Sequence, residues 1–213
     1  MHPCLVSSIT APEFNRLHLL NGLLHGGHHD EAAKYLEELL GSGPLGAALP
    51  GIDAIRDTYL QAFLAAKAAG VRESGVTLRI GPGTAVPGEL TLPVDVTTVL
   101  GNLLDNGIDA AHTGASAVKQ VEVELVQDNS TLYLTVADSG DGVPPELADR
   151  IFEEGTSTKS ESGLPGGRGI GLTVSRQIAR ALGGDIRMTQ TGRDGAQMCG
   201  AEFVAVLPGV MAS

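Results

Sequence analysis

The apolar positions of this chain follow two periods, and the period changes near residue 75. Before that point, apolar residues recur every three or four positions from Glu13 and again from Ile52 to about Glu73, which predicts helices. After it, apolar residues alternate with other residues in short stretches, which predicts strands. The predicted strands are 76–80, 121–126, 132–137, 186–190 and 201–207.

Helical spacing also appears between the strands, at 97–111, at about 145–152 and at about 170–182. Short turns between neighbouring strands, such as the one at 128–130, favour antiparallel pairs. This order predicts an α+β fold, a two-layer α/β sandwich with helices on one face of a sheet. We divide the chain into three segments: 1–12, which lacks periodicity and is a leader or an added stretch; 13–74, a helical hairpin; and 75–213, the sandwich domain.

Composition narrows the possible ligands and partners. The 14 basic and 25 acidic residues give a net charge of −11, so we expect no general attraction to nucleic acid, and local groups must meet any anionic ligand. No apolar run approaches the roughly 18 residues of a membrane-spanning helix. Cys4 and Cys199 lie far apart without a CxxC partner, which predicts free thiols in a reducing cytosol.

The predicted helix at 97–111 carries a polar stripe. Asn102, Asn106 and Asp109 recur at i, i+4 and i+7, so they share one side of the helix. The opposite side is apolar and consists of Leu100, Leu103, Leu104, Gly107, Ile108 and Ala111. A solvated face explains such a stripe, but two carboxamides one turn apart can also hold a divalent cation beside phosphate oxygens. The helix alone leaves both interpretations open.

A glycine-rich pentapeptide, DSGDG, follows the predicted strand 132–137. Its Asp and Gly residues are typical of a turn, and a turn is a sufficient explanation. In a functional interpretation, Gly140 and Gly142 allow the backbone to approach a flat ring. The Asp138 carboxylate then accepts a hydrogen bond from an exocyclic amine such as adenine N6.

A second glycine-rich segment spans 155–171 and has too few apolar residues to pack a core. Long loops of this kind are mostly lids or linkers. A helix begins directly after it, so the backbone amides of 169–172, together with Lys159 and Arg168, suit a polyphosphate. The common nucleotide motifs GxxxxGK[ST] and GxGxxG do not fit, because Thr158 and Val174 stand where each requires glycine.

The order of these pieces resembles the N, G1, F and G2 boxes of the histidine-kinase ATP-binding domain, within the gyrase, Hsp90, histidine kinase and MutL ATPase superfamily. The matching stretches are NLLDNGIDA at 102–110, DSGDG at 138–142, IFEEGTSTK at 151–159 and GGRGIGL at 166–172. Upstream, FNRLHLLNGLLHGGHHDEAAKYLEEL and LAAKAAGVRESGVTL resemble sensor kinases of the CitA/DcuS type, which sense citrate and C4-dicarboxylates. The resemblance extends from Glu13 to Pro208.

This resemblance implies a protein-histidine kinase that uses ATP and Mg²⁺ in a two-component system. It implies that Asn106 binds Mg²⁺ with help from Asn102, and that both act in catalysis with Lys159. Asp138 would bind the adenine amine, while Gly140 and Gly142 shape the base pocket. Phe152 would anchor a lid, and the phosphates would lie against Lys159, Arg168, Gly169, Ile170, Gly171 and Leu172.

The phosphoacceptor is the main departure from the family pattern. The family carries a His-Glu/Asp-Phe-x-Asn sequence on a dimerising helical hairpin, which the resemblance assigns to 13–74. This chain instead reads Ala11-Pro12-Glu13-Phe14-Asn15, and neither Ala11 nor Pro12 can accept a phosphoryl group. We hypothesise that the chain is a fragment in which 1–12 replaces the acceptor segment, so that it binds ATP without phosphorylating itself.

The remaining histidines have simpler interpretations. His18 lies on the first predicted helix and is interpreted as a surface or interface residue rather than a substitute acceptor. His25, His28 and His29 surround a glycine turn. Without cysteines or a helical HxxxH pair, a zinc site there is disfavoured.

Two other functions fit the same boxes. One is an anti-sigma-factor type serine kinase, which shares the sandwich but lacks the hairpin helices. The other is a nucleotide-binding interaction module without transfer activity. For the histidine kinase, the expected partners are ATP, a response regulator and a second copy that pairs through the hairpin. The expected location is the cytoplasmic portion of a sensor that is membrane-anchored by upstream segments.

Overall fold

A computed structural model describes residues 19–28, 31–32, 34–35, 49–72, 74–148, 150–153, 170–190 and 198–212. The chain divides into two compact units, Met1–Leu45 and Gly46–Ser213. In the first unit, residues 19–25 are helical and end at a glycine turn in which Gly27 has φ +74°. This agrees with the predicted helix and turn. Residues 31–32 and 34–35 are helical again, with Ala32 buried.

The second unit contains a five-stranded sheet and four helices among its described residues. The helices are α1 Thr58–Arg72, α2 Pro93–Thr113, α3 Pro145–Ala148 and α4 Gly171–Ala181; the strands are β1 Thr77–Ile80, β2 Gln120–Asp128, β3 Thr131–Asp138, β4 Asp185–Gln190 and β5 Glu202–Leu207. The sheet order is β1-β2-β3-β5-β4. Among the five described strands, only β1 and β2, which α2 connects, pair in parallel. All of the predicted strands and the α+β class are confirmed.

The sheet is two-sided, as the alternation of apolar residues predicts. On β3, Leu132 and Leu134 are fully buried, whereas Tyr133 between them is 37% exposed. The buried side packs against α2, and α1 and α4 flank that helix. The predicted apolar side of α2 is confirmed, because Leu100, Leu103, Leu104, Gly107 and Ala111 are all buried. The polar stripe on its other side is thereby held at a fixed position above the sheet.

Two predicted helices are shorter than expected. The helix predicted from Ile52 begins at Thr58, because 52–54 form a 3₁₀ turn and Ile55 pairs with Val86 as an isolated parallel bridge. Asp57 then starts α1, since its Oδ1 accepts the Leu60 amide at 2.8 Å. The helix predicted at 145–152 has only the four residues of α3.

The predicted division near residue 74 also differs from the compact units. Helix α1 packs against β1 and α2 of the sandwich, and the units divide at 45/46. The sequence placed α1 in the hairpin because its helical period resembles that of the preceding segment. The assignment of 13–74 to a dimerising hairpin stays a prediction. No helix of the described ranges has the length and apolar character needed to cross a bilayer.

Candidate functional site

The last residue of β3, Asp138, has a buried carboxylate. Asp138 is 3% exposed, and its Oδ1 accepts the backbone N–H of Gly140 at 2.8 Å. Burial raises the pKa of Asp138 to about 6, although backbone hydrogen bonds with Gly140 and Ala201 act in the opposite direction. The side chain is therefore ionised at neutral pH at a cost in desolvation, as expected for a group that meets a ligand donor.

Glycines allow the backbone to pack directly against this carboxylate. A Cβ atom on Gly200 would lie 1.8 Å from Asp138 Oδ1, and one on Gly140 would lie 2.8 Å from the backbone carbonyl of Ala110. Gly107 of α2 allows that helix to cross 3.5 Å from Asp138 Cβ, measured from its own ideal Cβ position. We call Asp138, Gly140 and Gly200 the base end of the site, after the contact with the adenine base that the resemblance implies for Asp138. Gly142 follows in a left-handed conformation with φ +80°, which suits the predicted turn.

Helix α2 connects the base end to the start of α4. Its Gly107 lies over Asp138, while Asn102 donates from Nδ2 to the Gly171 carbonyl at 3.2 Å and to Ser175 Oγ at 2.9 Å. Five residues of helix separate the two contacts, a rise of about 7.5 Å. Asn106 lies between them on the same face as Asn102. The side chain of Asn106 is half-buried and makes no hydrogen bond to any other described residue.

The start of α4 leaves backbone donors without a side-chain cap. Its N-cap residue, Ile170, is 48% exposed and has no hydrogen-bonding side chain. The amide of Val174 donates to the Ile170 carbonyl at 2.9 Å, so the amides of the preceding turn have no partner within the helix. Leu172 packs against the core and fixes this turn. Such an end attracts anions through its amides and its dipole.

Phe152 is held against the same turn. Its carbonyl accepts the Thr173 hydroxyl at 3.0 Å, its ring meets Phe203 edge-on with centroids 6.3 Å apart, and the Arg176 guanidinium lies 4.4 Å from the ring centroid. We call Asn102, Phe152 and the first turn of α4 the phosphate end, after the phosphate contacts that the resemblance implies for this turn. The structure therefore places eight predicted site residues on α2 or on the two segments that α2 contacts, which are the end of β3 and the start of α4 with Phe152. These residues are Asn102, Asn106, Asp138, Gly140, Phe152, Ile170, Gly171 and Leu172.

Other predicted site residues lie outside the described residues, namely Lys159, Arg168 and Gly169. In the first unit, His25 Nδ1 lies 3.0 Å from the Asn21 carbonyl, and the described residues contain no group of three metal-ligating side chains. His29 and Cys4 are also outside the described ranges. Cys199 is a free thiol, as predicted.

Sequence reasoning missed four residues of the site: Gly200, Thr173, Ser175 and Arg176. Gly200 had a usable signal, because a glycine directly before a strand often marks a close backbone approach. Thr173, Ser175 and Arg176 had none, since their partners are distant in sequence. Arg176 is additionally tied to Asp185 by hydrogen bonds that hold the pKa of that carboxyl well below its usual value, with a smaller contribution from Arg180.

Comparison with known proteins assigns the chain to a family. Residues 91–210 match the family described as histidine kinase-, DNA gyrase B- and HSP90-like ATPase. The match covers more than half of the chain and includes both ends of the site. The chain therefore belongs to this ATPase family.

Within the family, the chain is similar to sensor histidine kinases. It is 31% identical over 203 residues to sensor histidine kinase DpiB of Escherichia coli K12, covering 92% of this chain and 34% of that protein. It is 29% identical over 176 residues to sensor histidine kinase DcuS of the same strain, covering 81% and 31%. The resemblance to the CitA/DcuS type is confirmed, and the chain spans about a third of the length of these relatives.

A solved structure supports the fold assignment. The structure of the mycobacterial sensor histidine kinase MprB superimposes with a TM-score of 0.54 at 25% identity, covering 72% of this chain and 97% of that chain. The sandwich is thus the fold of histidine-kinase catalytic domains.

Proposed function

We propose that this chain is the ATP-binding catalytic core of a two-component sensor histidine kinase. In this proposal it transfers the γ-phosphoryl group of ATP to a histidine on a dimerisation hairpin. The observation that carries it is a helix bearing two asparagines, which joins a buried carboxylate packed against glycine backbone to a helix start without a side-chain cap. All three lie inside the segment that matches the ATPase family.

The base end would bind adenine. Asp138 is buried and ionised at neutral pH, so its carboxylate can accept the exocyclic amine of adenine in a site where a hydrogen bond to a charged group counts strongly. Gly140 and Gly200 hold the backbone close to the carboxylate and so fix its position, because an added Cβ would lie 2.9 Å or 1.8 Å, respectively, from Asp138 Oδ1.

The phosphate end would bind the triphosphate and its metal. The amides at the start of α4, which have no partner within the helix, suit phosphate oxygens, and the carboxamide oxygen of Asn106 is a hard ligand of the kind that Mg²⁺ takes alongside phosphates. Asn102 commits its amide nitrogen to Gly171 and Ser175, which leaves only its oxygen for the metal. Bound Mg²⁺ would neutralise charge on the phosphates. Lys159, Arg168 and Gly169 are proposed to complete this end.

In such a domain the protein mainly positions the reactants. A histidine nitrogen attacks the γ-phosphorus, the bond from that phosphorus to the β–γ bridging oxygen breaks, and ADP leaves. Because Ala11 and Pro12 occupy the acceptor position, the histidine would come from another chain. A response regulator would then receive the phosphoryl group, in the cytoplasm beneath a membrane-anchored sensor.

Calorimetry tests the nucleotide site. We expect Mg·ATP to bind the wild-type chain, Asp138→Ala to lose affinity for ATP and adenosine alike, and Asn106→Ala to lose only the Mg²⁺-dependent part. Asn129→Gly, at the distant β2–β3 turn where φ is +53°, controls for removal of an asparagine without backbone strain. Normal adenosine binding by Asp138→Ala would contradict the assignment of the base end.

Transfer is tested with a hairpin from a homologous sensor kinase supplied in trans. Acid-labile labelling of that hairpin from γ-labelled ATP supports the histidine kinase, because a phosphorus–nitrogen bond hydrolyses in acid. Acid-stable label would support a serine kinase. ATP binding without any transfer would favour the interaction module.

A further inference from the structure

Arg176 occupies a position between an acidic anchor and an aromatic ring. Its Nε lies 2.8 Å from Asp185 Oδ1 and its Nη2 lies 3.2 Å from Asp185 Oδ2, a two-point contact that orients the guanidinium plane. The two side chains are 27% and 26% exposed, so solvent only partly screens the pair. The guanidinium, 4.4 Å from the ring centroid of Phe152, covers that ring.

Phe152 is consequently fixed from three sides. Arg176 covers one side of the ring, Phe203 meets it edge-on, and Thr173 binds its carbonyl. Two of these three partners belong to the first two turns of α4. Phe152 is thus held by residues of α4 that lie more than twenty positions further along the chain.

We propose that Arg176, oriented by Asp185, is a positioning residue that holds Phe152 against the start of α4 and so strengthens binding of the triphosphate but not of the base. The inference rests on the proposed function, because it assigns the start of α4 to the phosphates. The base end is built from Asp138, Gly140 and Gly200, and none of their described contacts involves Arg176. Loss of Arg176 should therefore weaken binding at the phosphate end and leave binding at the base end unchanged.

Arg180 provides a matched control on the same helix. Its Nε lies 3.2 Å from the same Asp185 oxygen, but it is 59% exposed, and Arg176 is the guanidinium found over the Phe152 ring. Arg176→Ala and Arg180→Ala remove the same charge and share the same acidic partner. Only the first removes the cover from Phe152.

The experiment measures dissociation constants of Mg·ATP and of adenosine for the wild-type chain and both variants. We expect Arg176→Ala to weaken ATP about tenfold, Arg180→Ala to change it by less than about twofold, and adenosine to bind equally in all three. Arg176→Lys keeps the cation but loses the two-point contact, so it should recover only part of the ATP affinity.

A nucleotide-free readout separates this inference from the proposed function. In wild-type protein, the Arg176 Nε–H resonance should be shifted upfield by the Phe152 ring, and Phe152→Leu should abolish that shift. A wild-type chain that binds no ATP would remove the proposed function and this inference with it. Equal loss of ATP affinity in the two Arg→Ala variants, full recovery in Arg176→Lys, or an unshifted resonance would overturn the inference alone.

Discussion

The two ends of the site are built by different means. At the base end, glycine backbone packs against one buried carboxylate, and a Cβ added to Gly200 or Gly140 would lie 1.8 Å or 2.9 Å from Asp138 Oδ1. At the phosphate end, partly exposed side chains join α2, Phe152 and α4 through hydrogen bonds and a ring contact. The base end therefore tolerates almost no change of shape. The phosphate end should instead lose affinity in graded steps.

The largest effect is expected at Gly200. In Gly200→Ala, the new Cβ would lie 1.8 Å from Asp138 Oδ1 and 2.7 Å from the Gly140 nitrogen, so the carboxylate must move. We expect ATP affinity to fall at least about 100-fold and the free energy of unfolding to drop by about 1–3 kcal/mol. Calorimetry measures the ATP affinity, and thermal unfolding measures the change in the free energy of unfolding. Wild-type affinity in this variant would show that the base end is not as tight as described.

Asp138→Asn should separate stability from binding. The pKa of Asp138 is raised from 3.8 to about 6 in the folded protein. Between these pH values the folded chain keeps the carboxyl proton, whereas the unfolded chain has released it. The stabilising contribution is complete below about pH 4 and is lost as pH rises through 6. Relative to wild type, Asn at this position should raise unfolding free energy at pH 7.5 by up to about 3 kcal/mol.

The same substitution should abolish the pH dependence of nucleotide binding. In wild type, ATP affinity should increase as pH rises through about 6. The reason is that the ionised carboxylate accepts a stronger hydrogen bond from the adenine amine than the protonated carboxyl group does. Asp138→Asn should bind ATP weakly at every pH. Binding by wild type that stays constant between pH 5 and 7.5 would contradict the role of Asp138.

Asn102 and Asn106 should behave differently at the phosphate end. Asn102→Ala loses the bonds to Gly171 and Ser175, and should lower the free energy of unfolding by about 1–2 kcal/mol without any nucleotide. Asn106→Ala should leave that free energy nearly unchanged and weaken only Mg²⁺-dependent ATP binding. Thermal unfolding with and without Mg·ATP compares the two. Equal behaviour would remove the distinction between a structural and a ligand-binding asparagine.

The smallest effect is expected at Gly70, which belongs to neither end of the site. Gly70 lies in the last turn of α1, is exposed, and has nothing within 4 Å of an added Cβ. Gly70→Ala should raise the free energy of unfolding by about 0.5–1 kcal/mol. ATP affinity should not change. This variant is the glycine control for Gly200→Ala, and a loss of nucleotide binding here would show that glycine substitutions act globally.

The sequence predicted the sheet and the helix α2 because both follow from local periodicity. Alternation placed β2 and β3, and the apolar side of α2 is buried as its spacing indicates. The start of α1 was missed because Ile52 and Ile55 match a helical period by chance, while Ile55 pairs with Val86, far away in the chain. Periodicity contains no information about such long-range pairing.

The site was predictable where it follows family motifs and hidden where it depends on distant contacts. Asp138, Asn106 and the start of α4 can be recognised in the sequence, and in the structure α2 carries Asn106 and contacts both Asp138 and Gly171. The contacts of Arg176 with Phe152 and of Asn102 with Ser175 join residues far apart in the chain. They depend on how α2, α4 and the sheet pack, which no spacing rule supplies.

A crystal structure of this chain with Mg²⁺ and a non-hydrolysable ATP analogue would show directly whether the two ends of the site bind one nucleotide. We expect the adenine amine within hydrogen-bonding distance of Asp138, the phosphates at the amides of the first turn of α4, and the metal on Asn106. A nucleotide whose base lies away from Asp138, or whose phosphates point away from α4, would contradict this expectation.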